Sequence, residues 1–476
     1  MIGSIKKMNR KYLLTPKVLY FLVNLQYYTL HQFRGVFAKK KFGASDGDLA
    51  YFIGPMLGTV FFTNIFIGTM NDKYGRSHMF IIGALLLTFM YLQLFFVEAY
   101  MTMVPGMSIF WFNLFLYMAF NNGIPPLLDK AVLDYLNEIP EAGAREFAKQ
   151  KLWGTAGYGV SCKAIEMCIK FGDEFKFGNL RYYSLITTIL SGSAVFLLLK
   201  SPARDGTSAR SNILANCKEL MRNGSYLFFT FIILLNGITR QALSIYHIVY
   251  LTEILQIKGY ELPESWPSWL QYLVGFFNES PVATATFCGM AFEVVMLYHF
   301  PKISQKIGLV WPFFIAQLFQ ILRVICYFML DYNNPHVFMY CCLIELTRGV
   351  YFGLLTPSAV QLAMNLCPPH LKATSQMVYH GTFTALGSLA ASAVFGSLFS
   401  EAKMKGADIS LEEKASNYKV FFLVNIAFAS ATVALFSYKY FFLDRISGRN
   451  AETEKKDLKG MQRMAESQQE SAIVNK

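Results

Sequence analysis

Twelve apolar runs, each about 20 residues long, follow one another along the chain, and nothing constrains its fold more. They fall near 18-38, 49-67, 78-98, 107-128, 152-170, 181-199, 225-251, 281-300, 309-330, 336-358, 375-399 and 418-442. A helix of that length spans the hydrocarbon core of a bilayer, and lipid offers no partner to an unpaired backbone amide. Each run is therefore expected to cross as a helix. Composition agrees, because 54% of the 476 residues are hydrophobic and only 16% are charged, against about 25% charged in soluble domains. The 44 Phe and 27 Tyr suit lipid-facing and interfacial positions. The expected class is an all-α membrane protein with 12 transmembrane helices in two pseudo-symmetric six-helix bundles.

A formal net charge of +12 would suit nucleic acid, but Lys and Arg are concentrated in loops and tails between apolar runs. That is the pattern of membrane topology, and no nucleic-acid partner is expected. Alternate loops hold about 26 Lys and Arg on the side of the termini against about 11 on the other, which places both termini in the cytoplasm. Residues 1-17 form a basic cytoplasmic segment without a cleavable signal, 18-199 a first six-helix bundle, 200-224 a linker without apolar periodicity, 225-442 a second bundle, and 443-476 a polar tail. Residues 256-280 are the largest external loop, with Trp266 and Trp269 as interfacial aromatics. Asn278-Glu279-Ser280 has the form of a glycosylation acceptor, but Pro281 and the next span follow at once.

Between the second and third runs, Gly68-Thr-Met-Asn-Asp72-Lys73-Tyr-Gly75-Arg76 reads as a tight polar turn at the membrane surface. Its glycines permit reversal, while Asp72, Lys73 and Arg76 require water, headgroups or paired contacts. In the second half, Ser304-Gln305-Lys306-Ile307-Gly308 takes the corresponding place. Gly154, Gly157 and Gly159 in the fifth run are echoed by Gly381 and Gly387 in the eleventh, as close helix approach in lipid demands.

A charge at mid-bilayer costs on the order of 2.5–3.5 kcal/mol, so every charged residue inside a run needs a partner, a cavity or a purpose. Arg34, Lys163, Glu166, Arg240, Glu293, Arg323, Glu345 and Arg348 are such residues. Lys163/Glu166 and Glu345/Arg348 are spaced i,i+3 and can neutralise each other on one helix face. Glu293, Arg323, Glu345 and Arg348 fall on three successive runs, so packing is expected to gather them as a proton-coupling charge network or a static ion-pair cluster. Gln26 lies on the first run below the polar His31, Gln32 and Arg34, and Asn236 and Arg240 share one face of the seventh. These face a candidate cavity for a polar solute. The cysteines read as buried free thiols, without metal-ligand spacing. No P-loop, dinucleotide fingerprint, nucleophile elbow or HExxH motif occurs, so no enzyme, catalytic residue, cofactor or metal site is expected, and transport without ATP has to be secondary or facilitative.

The loop spacing G-x-x-x-D-[RK]-x-G-R resembles the signature between the second and third helices of major facilitator superfamily transporters. Pro125-Pro126-Leu127-Leu128-Asp129, Lys149-Gln150-Lys151-Leu152-Trp153-Gly154-Thr155-Ala156-Gly157-Tyr158-Gly159 and Glu345-Leu346-Thr347-Arg348-Gly349-Val350-Tyr351-Phe352-Gly353 are similar to the branch of lactose-permease-like and nucleoside/proton symporters, which includes animal major facilitator domain-containing proteins. The resemblance implies a conformational latch at Gly68, Asp72, Lys73, Gly75 and Arg76. It implies a solute cavity at Asp129, Lys151 and Tyr158, and proton machinery at Glu293 and Arg323. Asp129 belongs either to that cavity or to the latch with Arg76. Lys replaces the family's Arg at 151, Tyr its Trp at 158, and Glu345 and Arg348 its tenth-helix His and Glu. The expectation is a secondary active transporter that moves a small polar solute, of sugar or nucleoside class by resemblance, by alternating access with the proton as coupling ion, in the plasma membrane and surrounded by lipid. A transporter-shaped cell-surface receptor or scaffold that moves nothing is the alternative.

Overall fold

The computed structural model describes residues 12–74, 76–103, 107–139, 146–171, 174–199, 213–260, 265–368, 371–404 and 410–444. Among these the regular structure is helical apart from a hairpin of two-residue strands pairing Lys170 with Phe175. In the first half the helices are α1 (Leu14–Tyr27), α2 (Arg34–Phe42), α3 (Asp46–Tyr74), α4 (Ser77–Leu94), α5 (Ser108–Asn137), α6 (Phe147–Ile169) and α7 (Leu180–Leu198). A connecting helix α8 (Ile213–Arg222) leads to α9 (Gly224–Val249), α10 (Ser268–Asn278), α11 (Pro281–Ile307), α12 (Val310–Met329), α13 (Val337–Asn365), α14 (Lys372–Gly381), α15 (Gly387–Met404) and α16 (Leu411–Ser437).

Among the described residues, seven helical stretches are long and apolar enough by themselves to cross a membrane. The other five expected spans are helical too, but each carries an interruption or polar residues that dilute its hydropathy. The first is broken, with α1 and α2 separated by a non-helical stretch at 28–33. The eleventh passes through a π-helical turn at Thr382–Leu386 between α14 and α15. Pro55 lies inside α3, and Pro125 and Pro126 lie inside α5, where each removes a backbone donor.

One expectation is corrected, and two connecting segments prove to contain helices. The polar stretch from residue 68 to Tyr74 is not a turn: it forms the last two turns of α3, and the chain reverses between Tyr74 and Ser77. No residue there forbids helix, and a lone glycine costs only about 1 kcal/mol against alanine. The 200-224 linker contains α8, which buries Leu220, and Asn223 then caps α9 by accepting from the Ser225 and Tyr226 amides. The 256-280 loop contains α10, on which Trp269 is exposed.

One pairing recurs in both halves. Gly157 of α6 sits where a Cβ would lie 2.6 Å from the Phe21 carbonyl of α1, and Gly387 of α15 where it would lie 2.8 Å from Gly237 of α9. The fifth span thus packs on the first as the eleventh packs on the seventh. Across the halves, α6 packs against α11 and α3 against α15.

The buried apolar residues separate into three cores, and their arrangement sets the shape of the molecule. One core, including Phe37, Phe110, Tyr246 and Phe421, draws on both halves, at the helix ends away from the Tyr74–Ser77 reversal. At the opposite ends the halves have separate cores, one around Leu85 and Leu128 and another around Phe313 and Leu355. The two bundles are fused at one end and parted at the other.

Candidate functional site

The gap between the parted ends is a cavity of about 1140 Å³. It is larger than most small-molecule sites, which run to about 1,000 Å³, and it opens where the two separate cores diverge. Its blind end lies against the fused core. Contacts across the halves close that end: Lys39 pairs with Glu253 at 2.7 Å, Gln32 donates to Thr286 at 3.4 Å, and Glu166 accepts the Ala283 amide at 2.7 Å at the start of α11. Among the described residues Glu166 makes no direct ion pair with Lys163 on its own helix, although the two charges lie close enough to act on each other. Lys163 donates instead to the Phe276 carbonyl and lies over that residue's ring.

Partway along the cavity, Asp129 of α5 accepts from Lys151 of α6 at 2.7 Å and from the Tyr20 hydroxyl of α1 at 2.7 Å. Three helices thus converge on one carboxylate, and Asp129 and Lys151 both line the cavity. Arg76 is exposed just before α4. Gly68, Asp72 and Lys73 lie on the helical backbone, but their side chains, and Gly75 altogether, fall outside the described residues.

Deeper in, Glu345 of α13 is 1% exposed and surrounded by donors. One oxygen accepts from Arg323 at 2.7 and 3.1 Å and from the Tyr327 hydroxyl at 2.9 Å, with His247 Nε2 at 3.5 Å. Its other oxygen lies 3.6 Å from Arg348. Burying a carboxylate this fully requires such a set of partners. The three charged residues 323, 345 and 348 are thus one cluster. Among the described residues Glu293 makes no ion pair with this cluster: its carboxylate accepts from Thr155 of α6 at 3.1 Å, across the gap between the halves.

Tyr158 lines the cavity, stacked on Tyr28 with ring centres 4.0 Å apart, and the Arg348 guanidinium lies 5.7 Å from its ring centre. Arg240 also lines the cavity, over Phe352 and Phe383 at 5.6 and 5.4 Å. Gln26 and Asn236 do not line it. Gln26 is fully buried between α1 and α7, where it donates to Ser184 and accepts from Thr187. Asn236 is 3% exposed and donates to the Ile232 carbonyl of its own helix. Both expectations failed for the same reason: a polar residue in a span is also satisfied by helix packing, and spacing alone does not reveal which side of the helix faces the gap.

Sequence reasoning missed Tyr20, Thr155, His247 and Tyr327. Tyr327 lies one helical turn beyond Arg323, a spacing that could have flagged it. Thr155 lies one turn from both Lys151 and Tyr158 on α6, a spacing that could likewise have flagged it, whereas nothing local pointed to Tyr20 or His247. Arg34, read from the sequence as a costly charge on the polar part of the first run, lines the blind end at 7% exposure. Among the described residues no group of three His, Cys, Asp or Glu side chains is placed to hold a metal ion.

Residues 17–407 match the MFS_1 like family, which is most of the chain. No curated protein matches. Among solved structures, the nucleoside transporter NupG, as a point mutant, superposes with a TM-score of 0.70 at 14% identity, over 89% of this chain and 99% of that one. A bacterial homologue of the human lysosomal transporter Spinster, in an inward-facing and unoccupied conformation, gives 0.58 at 12% identity, over 90% and 96%. The peptide transporter POT, also as a point mutant, gives 0.60 at 12% identity, over 89% and 94%. At such identities the likeness is one of fold.

Proposed function

The chain belongs to the MFS_1 like family, and on that footing we propose that it is a secondary transporter carrying a small polar solute across a membrane by alternating access, with the proton as coupling ion. It is an integral, multi-pass membrane protein and not an enzyme. The observation that carries the reading is the division of the core: the halves share one apolar core at one end and hold separate cores around a polar cavity at the other. A rocking motion that fuses the parted ends and parts the fused ones would present the same cavity to the opposite side. A receptor or scaffold would need neither cavity nor divided core.

With both termini cytoplasmic, as the basic loops imply, the cavity opens inward. The division into bundles 18-199 and 225-442, with segment 1-17, linker 200-224 and tail 443-476, belongs to the same reading, as does a place in the plasma membrane among its lipids. NupG and POT are named as nucleoside and peptide transporters, which supports a small polar solute here. We assign Asp129, Lys151, Tyr158 and Arg240 to the solute cavity, and Glu293 with Arg323, Glu345 and Arg348 to coupling. Gly68, Asp72, Lys73, Gly75 and Arg76 are assigned to the latch.

Glu293 is the residue on which coupling is tested. It bridges the halves through Thr155, whereas Glu345 is saturated with donors. In proteoliposomes with an imposed proton gradient, Glu293→Gln is expected to abolish uphill accumulation and to leave solute exchange in place. An unchanged uphill rate would remove Glu293 from the coupling step.

A further inference from the structure

The blind end of the cavity carries more positive charge than its own carboxylates can balance. Four arginines line it, namely Arg34, Arg240, Arg323 and Arg348, against two carboxylates, Glu293 and Glu345. Arg323 is spent on Glu345 at 2.7 Å, and Arg348 lies 3.6 Å from the other oxygen of the same carboxylate. Among the described residues neither Arg34 nor Arg240 forms an ion pair or hydrogen bond. Lower in the cavity the charges cancel, since Lys151 pairs with Asp129 at 2.7 Å.

A cation at membrane depth is costly even where it lines a cavity, and a fold that needed only stability would replace it with an apolar residue. A guanidinium that makes no direct ion pair with a carboxylate of the protein is suited to one delivered by a ligand, because its planar fork matches a carboxylate or phosphate with two parallel hydrogen bonds. The surroundings favour this use. Arg240 lies over the faces of Phe352 and Phe383, and Arg348 over Tyr158 and Phe352, at 5.4 to 5.7 Å. Rings that occupy the flat faces of a guanidinium leave its N–H edge for an anion. Beside the arginines, Tyr28 is stacked on Tyr158 and His31 meets both edge-on, which provides an aromatic wall for the body of the solute.

Resting on the transporter reading, we propose that the solute is an organic anion, held at its carboxylate or phosphate by Arg34 and Arg240 and against the Tyr28/Tyr158 wall by its body. Glu293 then has a defined part. Arg348, Arg240 and Lys151 act on it, together with Tyr28 and Tyr158 and the Thr155 hydroxyl, so a proton on Glu293 adds one unit of positive charge to the site that receives the anion. Entry of the anion and entry of the proton favour each other.

Matched pairs that differ only in the anionic group test this in the purified full-length protein. Suitable probes are uridine against uridine monophosphate, glucose against glucose 6-phosphate, and benzamide against benzoate. Two readouts are used, thermal stabilisation in detergent and counterflow in proteoliposomes. The anionic member of at least one pair is expected to stabilise and exchange while its neutral twin does not, and which pair responds separates phosphate from carboxylate. Arg34→Gln and Arg240→Gln are each expected to weaken that anion about tenfold or more. Arg240→Lys, which keeps the charge but loses the fork, should fall between. The preference of the unmutated protein stands as a test even where a variant fails to fold. Exchange of a neutral twin that matches or exceeds its anion would overturn the anionic solute and leave the transporter standing. If no probe of either kind binds or exchanges, the transporter reading fails and the anionic solute with it.

Discussion

Glu345 illustrates how a single buried charge is held in a membrane. Its four polar neighbours come from three helices: Arg323 and Tyr327 from α12, His247 from α9 and Arg348 from its own α13. Removing one partner is worse than removing both, because a lone buried charge keeps its desolvation cost and loses its compensation. Arg323→Leu is therefore expected to cost about 3–5 kcal/mol, and Arg323→Leu with Glu345→Leu to recover most of it. Thermal denaturation of the two purified variants checks this, and equal loss in both would mean that the pair does not act as a unit. The i,i+3 spacing of Glu345 and Arg348 was legible, and so was the presence of Arg323 one span away. For Lys163 and Glu166 the same spacing brings the charges near each other without a direct pair, and their hydrogen bonds go to the other half instead. A local spacing states what a pair can do on an isolated helix, whereas a neighbouring helix offers stronger partners.

At the level of elements, the contact between α11 and α13 depends on two glycines. A Cβ on Gly349 would lie 2.4 Å from the Gly289 carbonyl oxygen and 2.7 Å from the Glu293 amide, both of them backbone atoms that cannot swing aside. Gly349→Ala is expected to push the helices apart and to lower stability by about 1–3 kcal/mol, read as a fall in melting temperature. Gly83, by contrast, has nothing within 4 Å of a built Cβ. Gly83→Ala should leave the melting temperature unchanged or raise it slightly through better helix propensity. Close approach here also positions Glu293, whose own amide lies in the contact. The glycine-rich stretches were visible in the sequence as helix-packing signals, but their partners were not: Gly157 meets α1 and Gly387 meets α9. Small residues permit contact from any direction, and only the packing selects one.

The molecule as a whole is bistable if the fused end can part. Lys39 and Glu253, 2.7 Å apart, join α2 to the π-helical turn at Tyr250–Ile254 that follows α9, across the closed end. Cysteines at these two positions, linked by a short bifunctional thiol reagent, are expected to abolish net transport while solute still binds at the open end. Transport that continued at full rate after complete cross-linking would exclude parting of this end from the cycle. The design separates access from binding, since the cavity residues are untouched.

The sequence by itself determined that the chain crosses a membrane about twelve times, because apolar length is a local property and lipid leaves the backbone no choice but helix. It also determined which charges would be costly enough to matter, since burial of charge is penalised wherever the helix sits. Only the tertiary structure decided which helix face looks into the gap, and so included Arg34 while excluding Gln26 and Asn236. Facing depends on how neighbours rotate a helix about its axis, and twelve mostly apolar helices in lipid carry little local signal of that rotation. The divided core likewise follows from how both halves pack, which no single stretch of residues contains.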